Sequence, residues 1–340
     1  MKHLLTLSAA TCVSLLSAAD ISADKLKRFA PLPSVFESKT NPITEAKVQL
    51  GRMLYYEPRL SKSQQISCNS CHGLKTYGVD NQPTSPGHKK VRGDRNSPTV
   101  YNAGGHMAQF WDGRAADLEE QAKGPVMNPV EMAMPSADYV LKVLNSIPEY
   151  VQLFKKAFPG EANPVTYDNM GRAIGAFERR LATPSRWDKF LAGDKSALTD
   201  AEKDGFNKFV EVGCASCHNG AYVGGSTYAK LGMAKPYPDQ KDLGRFKLTK
   251  KDADKMVFKV PSLRNIEKTG PYFHDGRVPT LSKAVNMMAE YELGKKLTPT
   301  DEKAILAFLS ALTGPLPDKY IQEPKLPAST ATTPKPDLTD

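Results

Sequence analysis

Two pentapeptides constrain this chain more than anything else in it: Cys68-Asn69-Ser70-Cys71-His72 and Cys214-Ala215-Ser216-Cys217-His218. Two thiols at this spacing can add to the two vinyl groups of a porphyrin while the adjacent imidazole reaches the iron from the same side. Cys-x-x-Cys-His therefore reads as c-type haem attachment. One chance occurrence is expected in roughly one chain per thousand, so two are no coincidence. A zinc ribbon would need its Cys pairs about 15–20 residues apart, and here 142 residues separate Cys71 from Cys214. No βαβ pattern flanks either site, as a thioredoxin-like pair requires. Two disulfides, each closing a four-residue ring, would staple little. The expectation is two covalently bound haem c groups, with His72 and His218 as iron ligands by pattern.

Residues 1–19 read as a secretory signal peptide. Lys2 supplies the positive charge, Leu4 to Leu16 the apolar run, and Ser17, Ala18 and Ala19 a small-residue cleavage site before Asp20. A membrane-anchoring helix needs about 20 apolar residues, so no membrane span is expected. Cleavage removes Cys12 and leaves four cysteines in an exported chain. The 340 residues carry 46 basic and 37 acidic side chains, a net charge of +9. That excess is read as solubility, with no nucleic acid as partner. A mean hydropathy of −0.44 excludes a multi-span membrane protein.

The chain also repeats itself. Pro98-Thr99-Val100-Tyr101-Asn102 matches Pro261-Ser262-Leu263-Arg264-Asn265, and Trp111-Asp112-Gly113-Arg114 matches His274-Asp275-Gly276-Arg277, both at an offset of 163. Ala173-Ile174-Gly175-Ala176-Phe177 matches Ala304-Ile305-Leu306-Ala307-Phe308 at 131, so the first half carries about 32 extra residues. Such self-similarity indicates duplication. Thr199-x-x-Glu202 is a capping box, Thr298-Pro299 opens a helix closed by Gly314, and Thr44 to Tyr56 has Leu50 and Leu54 on one face. Strand-like alternation is scarce. The expected fold is all-α: two cytochrome c-like haem domains, 20–183 and 184–320, followed by a disordered tail over 321–340 rich in Pro, Thr and Ala.

From about Asn41 to Leu316 the chain closely resembles the bacterial di-haem cytochrome c peroxidases. The resemblance is carried by Glu57-Pro58-Arg59-Leu60-Ser61, Gln109-Phe110-Trp111-Asp112-Gly113-Arg114, Lys123-Gly124-Pro125-Val126 and Pro271-Tyr272-Phe273-His274. It implies a periplasmic homodimer that reduces hydrogen peroxide to water with electrons from a small cytochrome c or cupredoxin. Those electrons would arrive at the C-terminal haem and pass to the N-terminal one.

The resemblance also implies site residues. Met288 matches the axial methionine of the second haem, with Met287 adjacent and Met233 and Met256 as other candidates. The offset of 163 puts Pro125 where the first half would need its methionine. Glu131 matches the distal glutamate that assists O–O cleavage, and Met127 as a permanent ligand is the competing reading. His88 matches a removable ligand of the first haem, in a loop freed by Gly87, Gly93, Gly104 and Gly105. Trp111 matches the residue between the haems, and Asn96, Thr269 and Pro271 match calcium ligands. His274 is read as a propionate partner or interdomain packing, and His106 is unassigned. Two other classes stay open. A pure electron carrier would need Met127 or Met132 on the first iron. A di-haem oxidase similar to the methylamine-utilisation enzymes would need a Tyr where Met288 stands, and Tyr291 is three residues late.

Overall fold

Among the described residues, seven of the eight helices with nine or more residues begin at a Thr, Ser or Asp whose side chain accepts an N–H from the first turn. Each such cap satisfies a donor that the helix itself leaves orphaned. In this computed structural model, which describes residues 21–238 and 241–338, the helices are α1 (Glu45–Tyr55), α2 (Leu118–Met127), α3 (Ala137–Asn145), α4 (Pro148–Ala157), α5 (Tyr167–Glu178), α6 (Asp200–Val212), α7 (Leu281–Leu293) and α8 (Pro299–Ser310). The exception, α4, starts with Pro148 in its first turn, where no N–H is needed. The capping box at Thr199 forms, with Thr199 N–H donating 2.8 Å to Glu202 Oε2. Helix α8 stops at Ser310, short of Gly314, whose N–H donates to Asn265 Oδ1 at 3.0 Å. One small sheet interrupts the helices: β1 (Tyr228–Lys230) pairs antiparallel with β2 (Val257–Lys259), Tyr228 opposite Lys259. The signal-peptide segment lies outside the described residues.

Each half is built on one close helix crossing. Helix α1 packs on α5 at Gly51, where a Cβ would sit 1.9 Å from the Ala173 carbonyl oxygen. Helix α6 packs on α8 at Gly205, 2.0 Å by the same measure from the Ala304 carbonyl oxygen. Only glycine permits that approach. Aromatic pairs flank both crossings, Tyr55 with Phe177 at 5.4 Å and Phe209 with Phe308 at 5.2 Å.

The matched stretches fold alike. Asn102 and Asn265 both take left-handed backbone, φ 62° and 59°. Their N–H groups donate to Leu181 O and Leu312 O, and both side-chain amides donate to Thr183 Oγ1, at 2.9 and 2.8 Å. Bridges close the next turns at Gln109–Ala115 and Tyr272–Val278, with Phe110 and Phe273 both at φ 66°.

The two chain ends depart from the expected boundaries. Residues 21–32, assigned above to the first domain, pack on the second. Phe29 lies 5.7 Å from Trp187 and 5.2 Å from Phe206, and Leu32 N–H donates to Asp188 at 2.7 Å. The segment 321–338, expected to be disordered, lies along the first domain. Ile321 is buried there, Tyr56 donates to Ile321 O at 2.6 Å, Arg59 to Pro327 O at 2.8 Å and Gln64 to Pro334 O at 2.8 Å. A Pro-rich segment has too few apolar residues for a core of its own, but its carbonyls accept from side chains on another surface.

Candidate active site

A short helix, Cys68–Cys71, presents the first pentapeptide and is closed by Ser67 and Ser70 in a reciprocal cap. His72 follows, its carbonyl held by the Tyr55 hydroxyl at 2.7 Å. Its ring Nδ1 lies 2.9 Å from Pro98 O. A carbonyl can only accept, so Nδ1 carries the proton and Nε2 keeps a lone pair for a metal. In the second half Gly213, left-handed at φ 110°, ends α6 and starts the turn of Cys214–Ser216. His218 sets its Nδ1 3.4 Å from Val223 O. Burial pulls that imidazole down to about 4, so the ring is neutral, as a ligand must be. The four cysteines among the described residues are free thiols rather than disulfides. Burial pushes Cys71 and Cys214 up to about 11, the opposite of an activated redox thiol.

One cavity gathers the first half's chemistry. Cys68, Cys71, His72, Trp111, Pro125, Glu131, Met132 and Glu178 all line it. Glu131 accepts from Asn128 Nδ2 at 2.7 Å. Burial raises its pKa, while the Arg114 guanidinium and the Asn128 amide pull it back. Met127 is not in the lining. Neither is His88, which is buried beside the cavity, its backbone N–H donating to Glu131 O at 2.7 Å and its Nδ1 without a partner.

Sequence reasoning missed Glu178. It is 3 % exposed, burial with the nearby Glu119 charge pushes its carboxyl up to about 8, and Oε2 has no partner. The repeat held a signal for it: the offset of 131 sets Glu178 against Leu309, a core position.

Trp111 joins the halves. Its indole N–H donates to Asn96 O at 2.9 Å, its ring meets that of His274 edge-on at 6.4 Å, and it packs on the cluster containing Met256, Phe258 and Phe273. Met287 and Met288 are both half-buried against that cluster, whereas Met233 is 67 % exposed and unfit as an axial ligand. Asn96 is buried, with Nδ2 donating to Gln82 O at 3.0 Å and to Pro83 O at 3.3 Å. Pro83 and Pro271 line a common crevice between the halves. Of the three residues expected to hold calcium, only Pro271 lines this crevice; Asn96 lines the first cavity and Thr269 lines neither, although an amide oxygen and backbone carbonyls are hard donors of the kind calcium takes.

A family model described as di-haem cytochrome c peroxidase matches residues 45–196. The chain is 49 % identical over 315 residues to the cytochrome c551 peroxidase of Pseudomonas aeruginosa, covering 91 % of this chain and 90 % of that one. The chain belongs to the di-haem cytochrome c peroxidase family. A second family member, the cytochrome c551 peroxidase of Nitrosomonas europaea, is 50 % identical over 289 residues, 84 % of this chain and 85 % of that one. A solved MauG-like protein associated with microbial copper homeostasis superposes with a TM-score of 0.74 at 27 % identity, over 90 % of this chain and 99 % of that one. Membership implies two haem c groups. The free thiol pairs and the two imidazoles with Nδ1 tied to carbonyls fit them.

Proposed function

We propose that the chain is a periplasmic homodimeric peroxidase with two haem domains descended from one by duplication. It reduces hydrogen peroxide to water with electrons from a small soluble cytochrome c or cupredoxin, received in the second half. The reading rests on one observation: His72, Trp111 and Glu131 share a cavity whose wall has Pro125 where the second half has Met288. A methionine there could close the sixth position of the iron, and a proline side chain offers no donor atom. The haems, when bound, supply the electrons and the metal to which peroxide binds.

The chain's own residues supply the rest. Asn128 holds Oε1 of Glu131, so Oε2 takes the proton from one peroxide oxygen and returns it to the departing one. Two electrons and two protons turn one peroxide into two waters, and Glu131 ends as it began. Trp111 bridges the halves, Met288 would ligate the second iron, and Asn96, Thr269 and Pro271 would supply the oxygens for a calcium ion. His88 is the removable ligand. A movement of its backbone toward the cavity would break the hydrogen bond from the His88 N–H to the Glu131 carbonyl, which would couple the gate to the acid–base residue. The duplication is supported by the matched Asn102 and Asn265 hydrogen bonds to Thr183.

The test is one-electron reduction with calcium present, followed by EPR and visible spectra and then peroxide. One haem should turn high-spin and react. Two haems that stay low-spin and inert would make the protein a carrier. Glu131→Gln should cut turnover by about 10²- to 10⁴-fold with haem spectra unchanged.

A further inference from the structure

Lys259 ends β2 and is 8 % exposed. Among the described residues its one side-chain hydrogen bond is to His106, whose Nδ1 lies 3.2 Å from Nζ, and no carboxylate pairs with it. A neutral imidazole nitrogen accepts one of the three ammonium protons and leaves two. With Nδ1 accepting, His106 carries its proton on Nε2, and that atom is also buried without a partner. Burial and the Lys259 charge keep the ring neutral. Two adjacent side chains thus offer buried donors and no acceptor, which is costly unless an anion completes the cluster.

Symmetry within the chain says what kind of position this is. Lys259 N–H donates to Trp111 O at 2.8 Å, and Asn96 N–H donates to His274 O at 2.7 Å. All four residues obey the offset of 163, so Lys259 is the counterpart of Asn96, and His106 is the counterpart of Thr269. Where one half would present an amide and a backbone carbonyl to calcium, the other half carries its own cation on a side chain. The position lies between the two haem sites: Trp111 lines the first cavity, and Pro261, two residues after Lys259, offers its carbonyl to the His218 ring. A haem tethered by its vinyl edge turns its two carboxylates away from the cysteines.

We propose that the Lys259 ammonium, braced by His106, is a built-in counter-cation that pairs with a haem propionate between the two domains. The proposal rests on the haem reading, so haem content is measured first, as a pyridine haemochrome; a native chain without two haems would fail that reading alone. Lys259→Met removes the charge at nearly constant shape, and Lys259→Arg keeps it. The expected result is a lowered midpoint potential and a shifted propionate bending band in resonance Raman for one haem of Lys259→Met, or loss of that haem, with Lys259→Arg close to native. Equal behaviour of the two variants, whether both load haem normally or both fail to, overturns the proposal. Calcium chelation of the native protein serves as a separate control, because it leaves Lys259 in place.

Discussion

Glu131 and Glu178 line the same cavity, yet their surroundings suit them to different work. Glu131 has an amide donor on one oxygen and a guanidinium nearby, so burial raises its pKa against resistance. Glu178 has an orphaned oxygen and the negative Glu119 nearby, opposed only by Arg179. Its folded pKa of about 8 lies above the ordinary carboxylate value, so the unfolded chain gives up this proton first as pH rises. Stability from this group is therefore complete below about pH 4.5 and is lost as pH climbs toward 8. Glu178→Gln should gain on the order of 2–4 kcal/mol over the native chain at pH 8 and almost nothing at pH 4. Denaturant midpoints at the two pH values check this, and an equal gain at both would refute it.

Among the elements, the two glycine crossings carry each half. Gly205→Ala would drive a methyl into the Ala304 carbonyl, which is backbone and cannot turn aside. We expect a loss of about 1–3 kcal/mol in urea unfolding of the second domain, from overpacking. Three of the eight helices, α1, α6 and α8, were legible beforehand, because Thr44, Thr199 and Thr298 announce their starts and Leu50 and Leu54 mark a face of α1. The crossings were not legible, since a glycine inside a helical pattern reads only as a propensity cost until its neighbour is known. Motif and resemblance singled out His72, Trp111 and Glu131, which line one cavity, but not that Glu178 lines it with them. The buried positions of His88, in a loop, and of Lys259, at the end of a three-residue strand, follow no periodicity in the sequence. The tail was misread for a related reason: composition says whether a segment can build a core, not whether another surface will hydrogen-bond it.

At the scale of the whole molecule, ion pairs and exchanged ends tie the halves together. Arg95 bonds Asp112 of its own half at 2.7 Å and Asp242 of the other at 2.6 and 3.0 Å, and this holds Asp242 far below the usual carboxylate range. A chain ending at residue 320 should lose its first-domain calorimetric transition to lower temperature while the second transition stays put. A uniform shift of both would mean that the tail serves the junction rather than the first domain. The exchange of ends has a further consequence for a chain severed between residues 183 and 184. Each fragment would then keep a segment seated on the other, the Phe29 stretch on one and the Ile321 stretch on the other. Release would need both to let go together, and the high local concentration of each would favour rebinding. Halves produced from separate messages could therefore find one another and assemble, much as two subunits of a heterodimer do.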